Sequence, residues 1–143
     1  MYQMFPLLAI SLVIYTILSL TGAADTAELA WHQVEVLKLP MASGVDWSVK
    51  FGDIFLLFSN SLLFAELLRS TKSGTESIMN HAFSFVVFLV AFLMFLFLKE
   101  FANSVFFLFL TMTLLDFMAG FIVTTVTARR DLSVGDGAGK LLG

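Results

Sequence analysis

The chain has 143 residues, of which 59% are hydrophobic and 13% charged, with no Cys, a formal net charge of −3 and a mean hydropathy of +0.93. This composition excludes a soluble globular domain, and the slight acidity offers no basic face for nucleic acid. The apolar residues gather in four runs of about 20 residues, the length that crosses a bilayer, and the segments between them are too short to bury a catalytic core.

The first run, residues 4–20, has Pro6 near its start, where a missing N–H is harmless, and Gly22 just beyond its end. Its length suits a signal peptide, but no Lys or Arg precedes it, so it is read as a retained span. Runs two to four cover residues 51–68, 78–98 and 104–128, and close on Arg69, on Lys99 with Glu100, and on Arg129 with Arg130. A charge held in hydrocarbon is costly, so each marks a water boundary. No period-2 alternation runs through them, which excludes a membrane barrel and leaves helices. The fold class is therefore an all-α integral membrane protein with four transmembrane helices. It forms a single domain over residues 1–132, followed by a glycine-rich, flexible cytoplasmic tail at 133–143.

Four spans put both termini and the 70–77 turn on one side, with Arg69, Lys72, Arg129, Arg130 and Lys140, against Lys38, Lys50 and Lys99 on the other. The excess of Lys and Arg assigns the termini to the cytoplasm. A small chain without a targeting segment suits a bacterial inner membrane.

The outer loop, residues 22–50, divides in two. Asp25 and Glu28 have capping-box spacing, and Ala27, Ala30, Trp31 and Val34 then recur at helical intervals, predicting an amphipathic interfacial helix anchored by Trp31. Its polar stripe carries Glu28, His32 and Glu35, a weak candidate for a metal ion; a solvated polar face accounts for the same residues. Beyond it, Leu37, Leu39 and Met41, then Val45, Trp47, Val49 and Phe51, alternate on either side of Ala42-Ser43-Gly44, predicting a β-hairpin whose apolar face centres on Trp47. In outline the chain resembles tetraspan families such as the claudins. Their first loop carries two Cys and a Gly-Leu-Trp tripeptide, both missing here, so the resemblance transfers neither residues nor function.

Within the spans, Asp116 is the outlier, a carboxyl near the middle of the fourth run. Antiparallel threading places Asn60 of the second run at similar depth, predicting an intramembrane polar pair, Asp116 with Asn60, that fixes helix register. Thr113, Gly120 and Thr124 continue the Asp116 stripe as a packing face. Glu66 and Arg69 are read with Arg129 and Arg130 as a water-exposed rim of ion pairs. The third span is rich in Phe, and Phe88, Phe92 and Phe95 are candidates, with Trp47, for docking a partner.

No phosphate loop, metal or redox Cys pair, cofactor motif or catalytic triad is present in the sequence, which predicts a non-enzyme without a cofactor. The leading expectation is an accessory, assembly or scaffold component of a membrane protein complex, contacting lipids and a larger membrane protein or further copies of itself. The rivals are a small homo-oligomeric proton- or ion-coupled transporter or channel using Asp116, and a binder of lipid or a lipophilic cofactor on the Phe face.

Overall fold

The structure is a computed structural model that describes the backbone of residues 5–70 and 75–139, and the side chains of 5–69, 79, 80, 82–122, 125 and 126. It contains four helices, α1 (Leu8–Thr21), α2 (Phe51–Ser70), α3 (Thr75–Phe97) and α4 (Ser104–Gly139), and one two-stranded antiparallel sheet, β1 (Glu35–Pro40) and β2 (Asp46–Lys50). Among the described residues, two segments are long and apolar enough to cross a membrane, Phe51–Arg69 of α2 and Ser104–Ile122 of α4, while Leu8–Thr21 and Ala82–Phe97 are shorter apolar helices.

Pro6 precedes α1, and its carbonyl accepts the amide of Ala9. At the other end Gly22 adopts the left-handed conformation, φ 62°, and its N–H returns to the Leu18 carbonyl, the glycine stop that the sequence signals. α3 starts at Thr75, ahead of the expected boundary at 78, and α4 continues to Gly139, past the expected start of a flexible tail at 133. The bond gained by each added residue carries a nucleated helix beyond its apolar run; the last residues of the expected tail, 140–143, lie outside the described residues.

The interfacial helix expected in the outer loop does not form. Asp25 Oδ1 instead accepts the Trp31 amide at 2.7 Å, Thr26 and Leu29 bond to each other, and only Trp31–Gln33 makes one 3-10 turn. A helix of this length is marginal by itself, and Asp and Thr side chains that bond nearby backbone offer the chain another solution. The hairpin does form, in the register that alternation implies: Leu37 opposes Val49 and Leu39 opposes Trp47, with an irregularity between Glu35 and Leu37. Gly44, at φ 81°, turns the chain. β2 passes directly into α2, so Phe51, counted with the strand in the alternation, is the first helical residue. There the Asp53 carboxylate reaches back to the Lys50 amide at 2.9 Å, one half of a capping box.

α4 packs against α2 and α3, and α1 lies against the same two helices. One end of the bundle is aromatic. Tyr15, Trp31, Phe55, Phe101, Phe106 and Phe109 are buried together, with Tyr15 at the hub, 4.7 Å from Phe106, 5.0 Å from Trp31 and 5.1 Å from Phe55 between ring centroids. Trp31 is therefore a core residue rather than an interfacial anchor: its indole is 2% exposed and donates to Ser19 Oγ at 3.0 Å. That hydroxyl satisfies the one polar atom that would otherwise hold the ring at a water boundary.

Candidate functional site

The opposite end of the bundle is polar and is built from all four helices. On α2 the residues at helical spacing Phe55, Ser59, Leu63 and Glu66 form one buried stripe. Glu66 is fully buried, so it does not belong to an exposed rim. Its Oε2 accepts the backbone amides of Leu7 at 2.9 Å and Leu8 at 3.4 Å, where α1 begins, and its Oε1 accepts Nδ2 of Asn80 in α3 at 3.0 Å. Arg69 does not pair with Glu66 directly. Its Nη2 donates to Asn80 Oδ1 at 3.1 Å and to the Phe5 carbonyl at 2.9 Å, so Asn80 stands between guanidinium and carboxylate. Ser84, one turn along α3, is buried beneath Asn80 and donates to its carbonyl.

Asp116 enters this region from α4. It is 2% exposed, flanked on its stripe by buried Thr113 and Gly120, and lies near enough to Glu66 for the two carboxyls to interact. The packing face expected on α4 is thus present in Thr113, Asp116 and Gly120, while the Thr124 side chain falls outside the described residues. The expected pair of Asp116 with Asn60 does not form. Asn60 is exposed, because one residue rotates a helix by about 100° and carries it off the buried stripe that holds Ser59. Ser59 makes the interhelical contact, its Oγ 3.0 Å from Ser11 Oγ of α1.

The sequence suggests Glu66 only as part of an exposed rim, and does not mark Asn80 or Ser84 as candidates. Their signal is periodic: Glu66 follows Ser59 by seven residues, and Asn80 precedes Ser84 by four, so each falls on the buried side of its helix.

The outer loop separates the other candidates. Glu28 lies in the irregular turn, His32 in the 3-10 segment and Glu35 at the start of β1, where it pairs with Lys38 at 3.5 Å. Without the expected helix they share no stripe, and no group of three or more His, Asp or Glu placed to hold a metal occurs among the described residues. His32 sits edge-on to Trp31, 5.7 Å between centroids. Burial disfavours its charged form and lowers its pKa, Asp25 opposes that shift, and Lys50 adds to it. Gly52 of α2 lets this loop approach: a Cβ there would lie 2.8 Å from the His32 carbonyl oxygen and 2.8 Å from Val105 Cγ2.

The hairpin leaves its apolar side chains open, with Trp47 at 51% exposure beside Leu39 at 37% and Leu37 at 51%. Of the Phe candidates on α3, Phe88 stacks on Phe117 and Phe95 packs on Phe107, both of α4, so these two are half-buried within the bundle. Phe92 remains exposed, in contact with Phe88.

Comparison with protein-family models, with curated proteins and with solved structures finds no match to this chain.

Proposed function

We propose that the chain is a four-span integral membrane protein, its termini in the cytoplasm of a bacterial cell and its hairpin outside. In this reading it acts as a non-enzymatic accessory or assembly component of a membrane protein complex. The observation that carries the reading is the hairpin: Leu37, Leu39, Met41, Val45 and Trp47 are all exposed on a two-stranded sheet, a unit that is marginal in water unless something covers it. β2 joins α2 without a linker, and in this reading that continuity keeps the hairpin at the level where α2 would meet the headgroups. The proposed occupant is a second, larger integral membrane protein that also presents an apolar segment at that level. Lipid alone covers only the side turned toward the membrane.

The test is native mass spectrometry of the protein extracted from its own membrane in mild detergent, alongside Trp47→Glu. The reading expects a complex of fixed stoichiometry with a different membrane protein that Trp47→Glu disrupts without loss of the folded chain. A monomer, or a closed homo-oligomer unaffected by Trp47→Glu, refutes it.

One observation favours the rival reading, a proton- or ion-coupled homo-oligomer. Asp116 is accompanied by a second buried carboxyl, Glu66, and ionisable groups inside a membrane bundle are uncommon outside such pathways. In that case Asp116→Asn abolishes proton flux in reconstituted vesicles while leaving the fold intact.

A further inference from the structure

We infer that Glu66 carries its negative charge inside the bundle and serves as the clasp that holds the start of α1 against α2 and α3. The argument begins with Arg69, whose guanidinium can only donate. Its Nη2 contacts Asn80 Oδ1, which fixes the Asn80 amide and turns Nδ2, a donor, toward Glu66 Oε1. The Leu7 and Leu8 amides that face Oε2 are donors too. These three partners of the carboxyl therefore all present hydrogens to it, an arrangement that suits a carboxylate with its free lone pairs and leaves an acid proton no acceptor among them.

The helices that surround Glu66 divide in their effect on its charge. α1 presents its first amides and the positive end of its dipole, and α2 contributes Arg69, whose charge reaches Glu66 through Asn80 of α3. Against them stand complete burial and the carboxyl of Asp116 on α4. The three donors and the two positive ends, all directed at the carboxyl, are what hold the charge there against burial and the neighbouring carboxyl. The carboxylate in turn satisfies α1 amides that have no partner within their own helix. Asn fits at position 80 and an apolar residue does not, since the side chain there must both accept from Arg69 and donate to Glu66.

The test uses the full chain in nanodiscs of phosphatidylethanolamine and phosphatidylglycerol, with two readouts. Infrared spectra of protein labelled with 13C at the glutamate carboxyls are expected to contain no carboxylic-acid band at neutral pH that belongs to Glu66. An acid band that disappears in Glu66→Gln overturns the inference. Amide hydrogen exchange over the first turn of α1 is expected to accelerate by about tenfold or more in Glu66→Gln, which keeps the shape of the side chain and loses its charge. Unchanged exchange there would mean that shape alone holds α1, and would overturn the clasp. If Glu66→Gln does not fold, Arg69→Met replaces it in the exchange experiment: it removes the donor that orients Asn80, and is expected to give a partial acceleration confined to the same turn, whereas no acceleration counts against the clasp.

Discussion

Ser59 and Ser11 face one another across the contact of α2 with α1, their hydroxyl oxygens 3.0 Å apart and both side chains fully buried. A buried interhelical bond of this kind contributes about 0.5 to 2 kcal/mol. Ser59→Ala is therefore expected to lower stability by an amount in that range. Asn60→Ala, one residue on but exposed, is expected to change it by less than about 0.5 kcal/mol. Unfolding of both variants in mixed micelles of graded denaturing detergent checks the contrast, and equal losses would place the polar contact at Asn60 after all.

Gly52 marks the closest approach of the outer loop to the bundle. With backbone oxygen on one side and a valine methyl on the other, both 2.8 Å from a Cβ position, neither neighbour yields cheaply. Gly52→Ala is expected to cost about 1 to 3 kcal/mol, the range of overpacking. Because His32 leads directly from Trp31, the strain should also loosen the indole. In a Trp47→Phe background, where Trp31 is the sole indole, its emission should shift to longer wavelength on Gly52→Ala; an unshifted spectrum would mean that the loop accommodates the methyl elsewhere.

The contrast between the two halves of the outer loop explains what the sequence could tell. The hairpin was legible because its alternation and its glycine turn act over neighbouring residues, and Leu39 duly faces Trp47. The segment before it has an equally regular pattern, yet Asp25 spends its carboxylate on the amide of Trp31 and the indole turns inward to Tyr15, a residue sixteen positions earlier. Periodicity ranks the faces of an element that forms; it does not weigh that element against a tertiary contact. Inside the helices the same limit appears as a rotation. Asp116 is conspicuous because it interrupts an apolar run, whereas Glu66 lies three residues before Arg69 and has the spacing of a surface pair. Its burial follows from the start of α1 arriving at the same level, a long-range fact.

His32 gives the outer loop a dependence on pH. Its pKa in the folded chain is lowered, chiefly by burial with Lys50 adding to the effect, so the unfolded chain binds the proton more readily. The neutral ring thus contributes stability above the ordinary histidine value of about 6.5, and that contribution is lost as pH falls below it toward the lowered folded value. Relative to His32→Gln, the wild-type protein is expected to lose stability on acidification from about pH 7.5 to pH 5. Thermal unfolding of both proteins across that interval measures the difference; parallel curves, or a wild-type gain in acid, would contradict the sign.

Asn103 joins the aromatic end of the bundle to α4 by serving Tyr15, the Phe106 amide and the Glu100 carbonyl at once. Its Oδ1 accepts the Phe106 amide at 3.0 Å, the N-cap bond of the helix, and its Nδ2 donates to the Tyr15 hydroxyl oxygen at 2.8 Å. Asn103→Ala removes both and is expected to cost about 2 to 3 kcal/mol, from a lost cap of about 1 and a stranded polar hydroxyl of a similar size or more. Asn103→Asp keeps an acceptor for the Phe106 amide at a helix N-terminus, where negative charge is favoured, and allows the Tyr15 hydroxyl to donate in the reverse direction, so it is expected to retain most of the stability. Tyr15→Phe isolates the second contact. In a double-mutant cycle with Asn103→Ala the coupling should be about 1 kcal/mol. A coupling near zero would confine the role of Asn103 to its local bonds with Phe106 and Glu100 at the start of α4, and make Tyr15 a packing residue whose hydroxyl contributes nothing to holding α1.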